Sequence, residues 1–363
     1  MQTPRRIRAL VLSMTAALAL GASAVPTSAA SPAGATPSFS AWLVVRDPAV
    51  EFGTPAAGDS GTSTGEAVTW VRISAGYYGI NVAGTSEMTG VAHAVAISEA
   101  PRICAVESWG GSALQIFVRC LDPEGISRDT PFAMTYIRGL GPSDGQPGRL
   151  AHAWVDADFP TSAFNHVSEG GKNERVVNST GNYTMTIPGL GKPAGSGTIV
   201  LTPYFKIDQS ETPTVCTTAS WVRSGSNLKV EVRCRTLSGA AVDSKFDLLF
   251  LRQLGPEGFG GGPAAYLRAS RKTQTTGYTP DATFAYQSNG KTSSILRTGV
   301  GTYRVTLKGM PGRGAAIVTA YGTGKARCQL SDIGTTAPVK LTVRCFKPAG
   351  ALVDSDFTLA WTK

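Results

Sequence analysis

Histidine and long apolar runs are scarce in this sequence, and each shortage excludes a class of protein. Only His93, His152 and His166 occur in 363 residues, and they stand in no shared motif, so we expect neither a catalytic triad nor a metal cluster. Beyond residue 30 no stretch approaches the about 20 apolar residues of a membrane-spanning helix. Cys-x-x-Cys pairs, phosphate-binding glycine loops and dinucleotide fingerprints are absent, so we expect no cofactor.

The N-terminus has the pattern of an export signal. Arg5, Arg6 and Arg8 precede an apolar run at 9–20, and small residues at 22–24, or alternatively at 28–30, offer a cleavage site. We therefore assign residues 1–30 to a signal peptide. The mature protein is expected to be secreted, and any association with the cell surface is expected to be non-covalent.

One motif occurs three times along the mature chain. Its last copy is Val343-Arg344-Cys345, followed by Gly350, Asp354 and Phe357. The same letters recur at Val118-Arg119-Cys120, Gly125, Asp129, Phe132 and at Val232-Arg233-Cys234, Gly239, Asp243, Phe246. Two further markers repeat every 112 residues: Cys104, Cys216, Cys328 and Trp42, Trp154, Tyr266. This self-similarity predicts three tandem repeats.

Each copy also carries short stretches of period two, such as Tyr303-Val305-Leu307 after Gly301, which is typical of strands. About seven such stretches per copy, separated by glycine and proline, predict an all-β chain of three antiparallel β-sandwich (immunoglobulin-like) domains. The predicted domains are 36–138, 151–252 and 264–363. Glycine-rich linkers at 139–150 and 253–263 would allow some motion between the domains.

The six cysteines of an exported chain are expected to form disulfides. Fifteen pairings are possible, and spacing alone does not choose among them. The repeat does, because cysteines of one copy would lie on neighbouring strands of a hairpin. The predicted pairs are Cys104–Cys120, Cys216–Cys234 and Cys328–Cys345.

The order Gly-x-Tyr-x-Val, cysteine, Val-Arg-Cys-x4-Gly-x3-Asp-Ser-x-Phe resembles repeat domains in secreted proteins of actinomycetes and their relatives, which usually carry no assigned function. The resemblance covers nearly the whole mature chain. The third copy fits best, whereas the first has Asp129-Thr130 in place of Asp-Ser. The resemblance implies a disulfide-stapled β domain and transfers no catalytic residue.

Several residues could be read as functional, but a structural role explains each of them better. Gly58-Asp59-Ser60-Gly61 matches the nucleophile loop of trypsin-like proteases, but no histidine precedes it. Asp156 and Asp158 suit a glycosidase, yet they fit a solvated strand face better. The motif arginines Arg119, Arg233 and Arg344 are expected to pair with a nearby carboxylate, or to cover the sheet with their apolar stems, rather than form a binding row. One motif aspartate per copy is too little for calcium. Trp109 and Trp221 align with Ile333, which favours packing over sugar stacking.

Charge differs sharply between the copies. Residues 36–150 hold seven basic and eleven acidic residues, 151–263 ten of each, and 264–363 fourteen against four. A basic end favours anionic partners. We therefore predict a polyanion-binding set in the third copy: Arg268, Arg271, Lys272, Arg297, Arg304, Lys308, Arg313, Lys325, Arg327. A solubilising basic surface explains the same charge equally well.

The predicted function is that of a non-enzymatic binding or envelope-associated protein whose third repeat attaches to an anionic wall polymer or polysaccharide. Self-association, or binding to another secreted protein, is a further option, because the acidic first copy would attract the basic third. A nucleic acid partner is not expected. Alternatives are a lectin-like carbohydrate-binding protein, an inhibitor or a toxin component, with a hydrolase less favoured.

Overall fold

The computed structural model describes residues 39–85, 89–139, 149–156, 164–193, 195–207, 211–255 and 262–363. The predicted signal peptide and most of both predicted linkers lie outside these residues. The regular structure of the described chain is mostly β-strand, with a 3₁₀ turn at Ala282–Phe284. The all-β prediction is confirmed.

Residues 39–138, here called segment 1, form two antiparallel sheets. One sheet has the order β3-β1-β9-β6, and the other β7-β8-β5-β4-β2. The strands are β1 (Phe39–Val45), β2 (Phe52–Gly53), β3 (Ser60–Thr62), β4 (Val68–Ser74), β5 (Tyr77–Val82), β6 (Val91–Ala96), β7 (Ile103–Gly110), β8 (Leu114–Leu121) and β9 (Phe132–Arg138).

Residues 150–251, segment 2, repeat this arrangement with sheets β11-β10-β17-β14 and β12-β13-β16-β15. Their strands are β10 (Leu150–Val155), β11 (Asn165–Val167), β12 (Glu174–Ser179), β13 (Asn182–Ile187), β14 (Thr198–Tyr204), β15 (Thr214–Ser224), β16 (Asn227–Thr236) and β17 (Lys245–Leu251).

Residues 264–362, segment 3, form sheets β19-β18-β25-β22 and β20-β21-β24-β23. Their strands are β18 (Ala264–Ala269), β19 (Ala285–Gln287), β20 (Ser294–Gly299), β21 (Thr302–Leu307), β22 (Ala315–Tyr321), β23 (Arg327–Ile333), β24 (Val339–Phe346) and β25 (Asp356–Thr362).

A hydrophobic core lies between the two sheets of each segment. In β21 the apolar residues Tyr303, Val305 and Leu307 are buried while Arg304 between them is exposed, as the period of two predicts. In contrast, every residue of β1, β9 and β14 is buried. These strands are covered on both faces, because one face packs in the segment's own core and the other packs against neighbouring segments.

The segments contact one another in a closed cycle. Tyr204 of β14 pairs in parallel with Val106 of β7, and Tyr321 of β22 pairs in parallel with Thr218 of β15. Segment 3 returns to segment 1 through a parallel bridge between Leu330 and Ile97. All of 39–363 falls in one compact unit. The segments are therefore joined by direct contacts as well as along the chain.

The three disulfides are confirmed as the within-copy pairs Cys104–Cys120, Cys216–Cys234 and Cys328–Cys345. The two cysteines of each pair stand directly opposite each other on neighbouring antiparallel strands. Each bridge therefore joins strands that the sheet already places together, which agrees with the hairpin expected from the spacing.

One sequence marker proves misaligned. The motif phenylalanines fix the register of the first strands, since they stand opposite Val45, Val155 and Ala269. Three residues before these positions are Trp42, His152 and Tyr266. In segment 2 the structural equivalent of Trp42 and Tyr266 is therefore His152, and Trp154 lies two residues further along the strand. The 112-residue spacing of Trp154 from the other two aromatic residues does not mark an equivalent position.

Candidate anion-binding groove

The motif aspartate closes each segment by reaching a distant hairpin. Asp354 accepts a hydrogen bond from the Gly301 backbone N–H at 2.8 Å and is paired with Arg297 through two bonds of 2.9 Å. The Tyr303 hydroxyl also lies 3.3 Å from its Oδ1. These donors hold the pKa of the Asp354 carboxyl below its usual range, the Arg297 bond being the largest cause. The carboxylate is thus occupied by protein donors, not arranged as a metal ligand.

The motif arginines join neighbouring segments. Arg119 pairs with Glu107, whose Oε1 also accepts from the Ile207 N–H of segment 2 at 3.2 Å. Arg233 donates to the Thr323 carbonyl of segment 3, and Arg344 to the Glu99 carbonyl of segment 1. The expectation that these residues have structural partners agrees with their contacts, since Arg344 also lies 3.9 Å from the Glu99 carboxylate, whereas the partner of Arg233 is a carbonyl.

Three of the nine predicted polyanion-binding residues are engaged inside the protein. Arg297 is paired with Asp354, and Arg313 forms an ion pair with Asp59 of segment 1. Arg268 stacks over the Phe284 ring at 3.3 Å, among further aromatic side chains. Burial lowers the pKa of this arginine. Arg297 is thus paired within segment 3, whereas Arg313 and Arg268 contact segments 1 and 2, so these cations present little charge to a partner.

The remaining six differ in exposure and place. Arg304 and Lys308 are exposed on and beside β21, whereas Arg271 lies near the Tyr278 ring. Arg327 is buried, with only 5% of its surface exposed. Lys272 and Lys325 are exposed and line one common groove.

This groove has a volume of about 500 Å³ and lies at the edge of segment 3. Three loops each contribute one exposed lysine: Lys272 follows β18, Lys325 precedes β23 and Lys347 follows β24. Two carboxylates share the lining. Asp354 is bound by Arg297, and Asp356 accepts from the Lys272 backbone N–H at 3.1 Å. Burial raises the pKa of the Asp356 carboxyl.

The basic lining extends from this groove toward the contact with segment 2. An adjoining small pocket shares Lys325 and Pro348 with the groove and adds Arg235 and Arg327. Positive charges from separate loops and strands thus line the groove and the pocket that adjoins it. Such a concentration of one sign focuses the field and attracts anionic groups.

Sequence reasoning missed Lys347 and Arg235. Lys347 opens the motif turn Lys347–Gly350, whose counterparts in the other segments begin with Asp122 and Thr236. Comparing these aligned turns would have shown that the third alone begins with a cation. Gly350 of this turn has φ 86°, a backbone conformation that favours glycine.

The tryptophans pack within the protein. Trp42, Trp70, Trp221 and Trp361 are buried. Half-buried Trp109 and Trp154 contact each other with ring centroids 6.1 Å apart and both contact Tyr204, at the meeting of segments 1 and 2. This favours the packing interpretation of Trp109 and Trp221 over a sugar-stacking platform.

Of the residues considered for catalysis, those that the structure describes are buried or paired. Asp59 is bound to Arg46 and Arg313, while His93 and His152 are fully buried. Asp158 lies outside the described residues. Within the described ranges, no group of three or more metal-ligating side chains is found.

Comparison with protein-family models, curated proteins and solved structures finds no match for this chain. Among the described residues there is also no helix whose length and apolar character would let it cross a membrane.

Proposed function

We propose that this is a secreted, non-enzymatic protein of three immunoglobulin-like repeats that attaches to an anionic polymer of the cell envelope. The observation that carries the proposal is the convergence of Lys272, Lys325 and Lys347 on one groove of about 500 Å³. The partner's chemistry is a chain of phosphate or carboxylate groups, such as a teichoic acid or an acidic polysaccharide.

An extended polymer suits this surface better than a single small ligand. The lysines come from three loops and are exposed, so their ammonium groups act as flexible point charges rather than a rigid fork for one anion. A polymer presents successive charges to several cations at once, which adds weak interactions along one chain. The groove's two carboxylates are engaged by Arg297 and by the Lys272 N–H.

The test compares two variants of equal charge. Lys272→Gln/Lys325→Gln/Lys347→Gln removes the groove cations, whereas Arg304→Gln/Lys308→Gln/Lys340→Gln removes three exposed cations from the sheet that contains β21 and β24. Retention of the full mature chain on purified cell walls is measured from 0.1 to 1 M salt. Over this range the Debye length shrinks from about 10 to about 3 Å.

We expect the groove variant to be released at much lower salt than the wild type, and the control variant to resemble the wild type. Equal release of both variants would mean that net charge alone acts, and retention insensitive to salt would exclude attachment through exposed charge. The full chain is required, because the segments share hydrogen-bonded sheets and a fragment would expose their edges.

A further inference from the structure

A second cavity lies where all three segments meet. Its volume is about 50 Å³, and it is lined by corresponding residues of each segment, including Cys104, Cys216 and Cys328. A buried site needs about 10–15 Å³ to hold one water. The cavity therefore offers about three to five oxygen positions, which is the number in a tetrahedral oxyanion with one accompanying water.

A buried arginine breaks the correspondence between the segments. Arg327 stands opposite Phe346 in the β23–β24 pair, and the residues at the same register in segments 1 and 2 are the apolar Ile103 and Val215. All three side chains line the cavity. A guanidinium thus occupies a place where the other segments supply hydrocarbon.

The guanidinium of Arg327 is only partly satisfied by the protein. Its Nη1 donates to the Pro348 carbonyl at 3.3 Å, but Nε and Nη2 have no hydrogen-bond partner among the described residues. The side chain is 95% buried, and burial lowers its pKa to about 10, so it remains charged at neutral pH. A buried charge with open donors is costly unless an anion accompanies it.

The other polar groups around the cavity do not supply that anion. Its described lining contains no carboxylate and includes a second cation, Arg102. The Gln329 amide is already occupied, since its oxygen accepts from the Arg102 N–H and its nitrogen donates to the carbonyls of Ser98 and Ala100. The acid that acts on Arg327 electrostatically is Glu124, which is exposed on the motif turn of segment 1.

We propose that this cavity binds one small oxyanion, a phosphate, sulfate or carboxylate group, through the open Nε and Nη2 of Arg327 with Arg102 nearby. A planar guanidinium that presents two parallel N–H groups matches two oxygens of such an anion. The anion is either a free ion or the end group of a longer chain. This proposal does not depend on polymer binding in the lysine groove.

The test uses inorganic phosphate as the probe, at constant ionic strength, with the full mature chain. We expect phosphate to raise the melting temperature of the wild type saturably, as binding to the native state alone requires. In calorimetric titration Arg327→Met should bind phosphate at least tenfold more weakly, while exposed Arg304→Met should bind like the wild type. An equal phosphate response in Arg327→Met and the wild type would overturn the proposal.

Two further arms separate the sources and guard against misfolding. An oligo(glycerol phosphate) is compared with and without its terminal phosphate monoester. If only the terminated oligomer gives an Arg327-dependent response, the site takes a chain end; if neither it nor phosphate does, the proposal fails. Should Arg327→Met not fold, Arg102→Met replaces it, with at least a threefold loss expected and no loss overturning the role of the pair. The groove variant should keep its phosphate response.

Discussion

In each segment one tyrosine hydroxyl links a hairpin to the turn before the last strand. The tyrosines lie on β5, β13 and β21, and the last strands are β9, β17 and β25. Each hydroxyl accepts a backbone N–H: Tyr78 that of Thr130 at 3.2 Å, Tyr183 that of Ser244 at 2.8 Å, and Tyr303 that of Ser355 at 3.1 Å. Replacing Tyr303 with Phe leaves the Ser355 N–H buried without this acceptor and creates no cavity. An unsatisfied buried donor costs about 1–3 kcal/mol, so we expect that loss in the free energy of unfolding.

The closed cycle of segments predicts how this loss appears. Because each segment is bridged to both others, we expect one cooperative transition whose midpoint falls in all three Tyr→Phe variants, by a few degrees. Calorimetry and urea unfolding measure it. Tyr286→Phe is the control, since the ring of Tyr286, which the substitution keeps, stacks on Tyr266 and packs against the core. A transition in which only the mutated segment melts early would refute the reasoning, as would an equal loss in the control.

Three further predictions follow from the same contacts. Cys345→Ser should lower the unfolding free energy of the whole chain by about 2–5 kcal/mol, and non-reducing peptide mapping of the wild type should show three separate loops. Gly301→Ala should destabilise strongly, because Gly301 has φ 61° and a Cβ would lie 2.7 Å from the Cys345 carbonyl, whereas Gly299→Ala, with open space around it, should be nearly neutral in urea unfolding. The pKa values of the Asp129 and Asp354 carboxyls are lowered in the folded protein. Their contribution to folding stability is therefore fully present above the unfolded pKa of about 3.9 and is lost as pH falls through the lower folded values. Asp354→Asn should make the urea midpoint less sensitive to acid.

Local patterns predicted much of the fold. Alternation in stretches such as Tyr303–Leu307 identifies a half-buried strand because only one face meets a core. The within-copy disulfides follow similarly, since each cysteine pair belongs to one hairpin. The nearly continuous apolar strand at 39–45 indicates that both of its faces are buried, but the sequence does not show which part of the protein packs on the second face. Here neighbouring segments provide the cover.

The groove was harder to predict, because ion pairing depends on residues far apart in the sequence. Arg313 is neutralised by Asp59, 254 residues away, and Arg268 is enclosed by the rings of Trp221 and Phe284 from two segments. A count of basic residues treats these arginines like Lys272. Only the tertiary structure separates cations that hold the protein together from those that face solvent.

The most direct test of polymer attachment is hydrogen–deuterium exchange of the full mature chain with and without soluble poly(glycerol phosphate) at 0.1 M salt. We expect the polymer to slow exchange in peptides covering 270–274, 321–326 and 347–356, which form the groove, and to leave the β4–β5 hairpin of segment 1, which contributes no residue to the groove lining, unchanged. Slowed exchange at the β4–β5 hairpin with no effect at the groove would contradict the proposed attachment site.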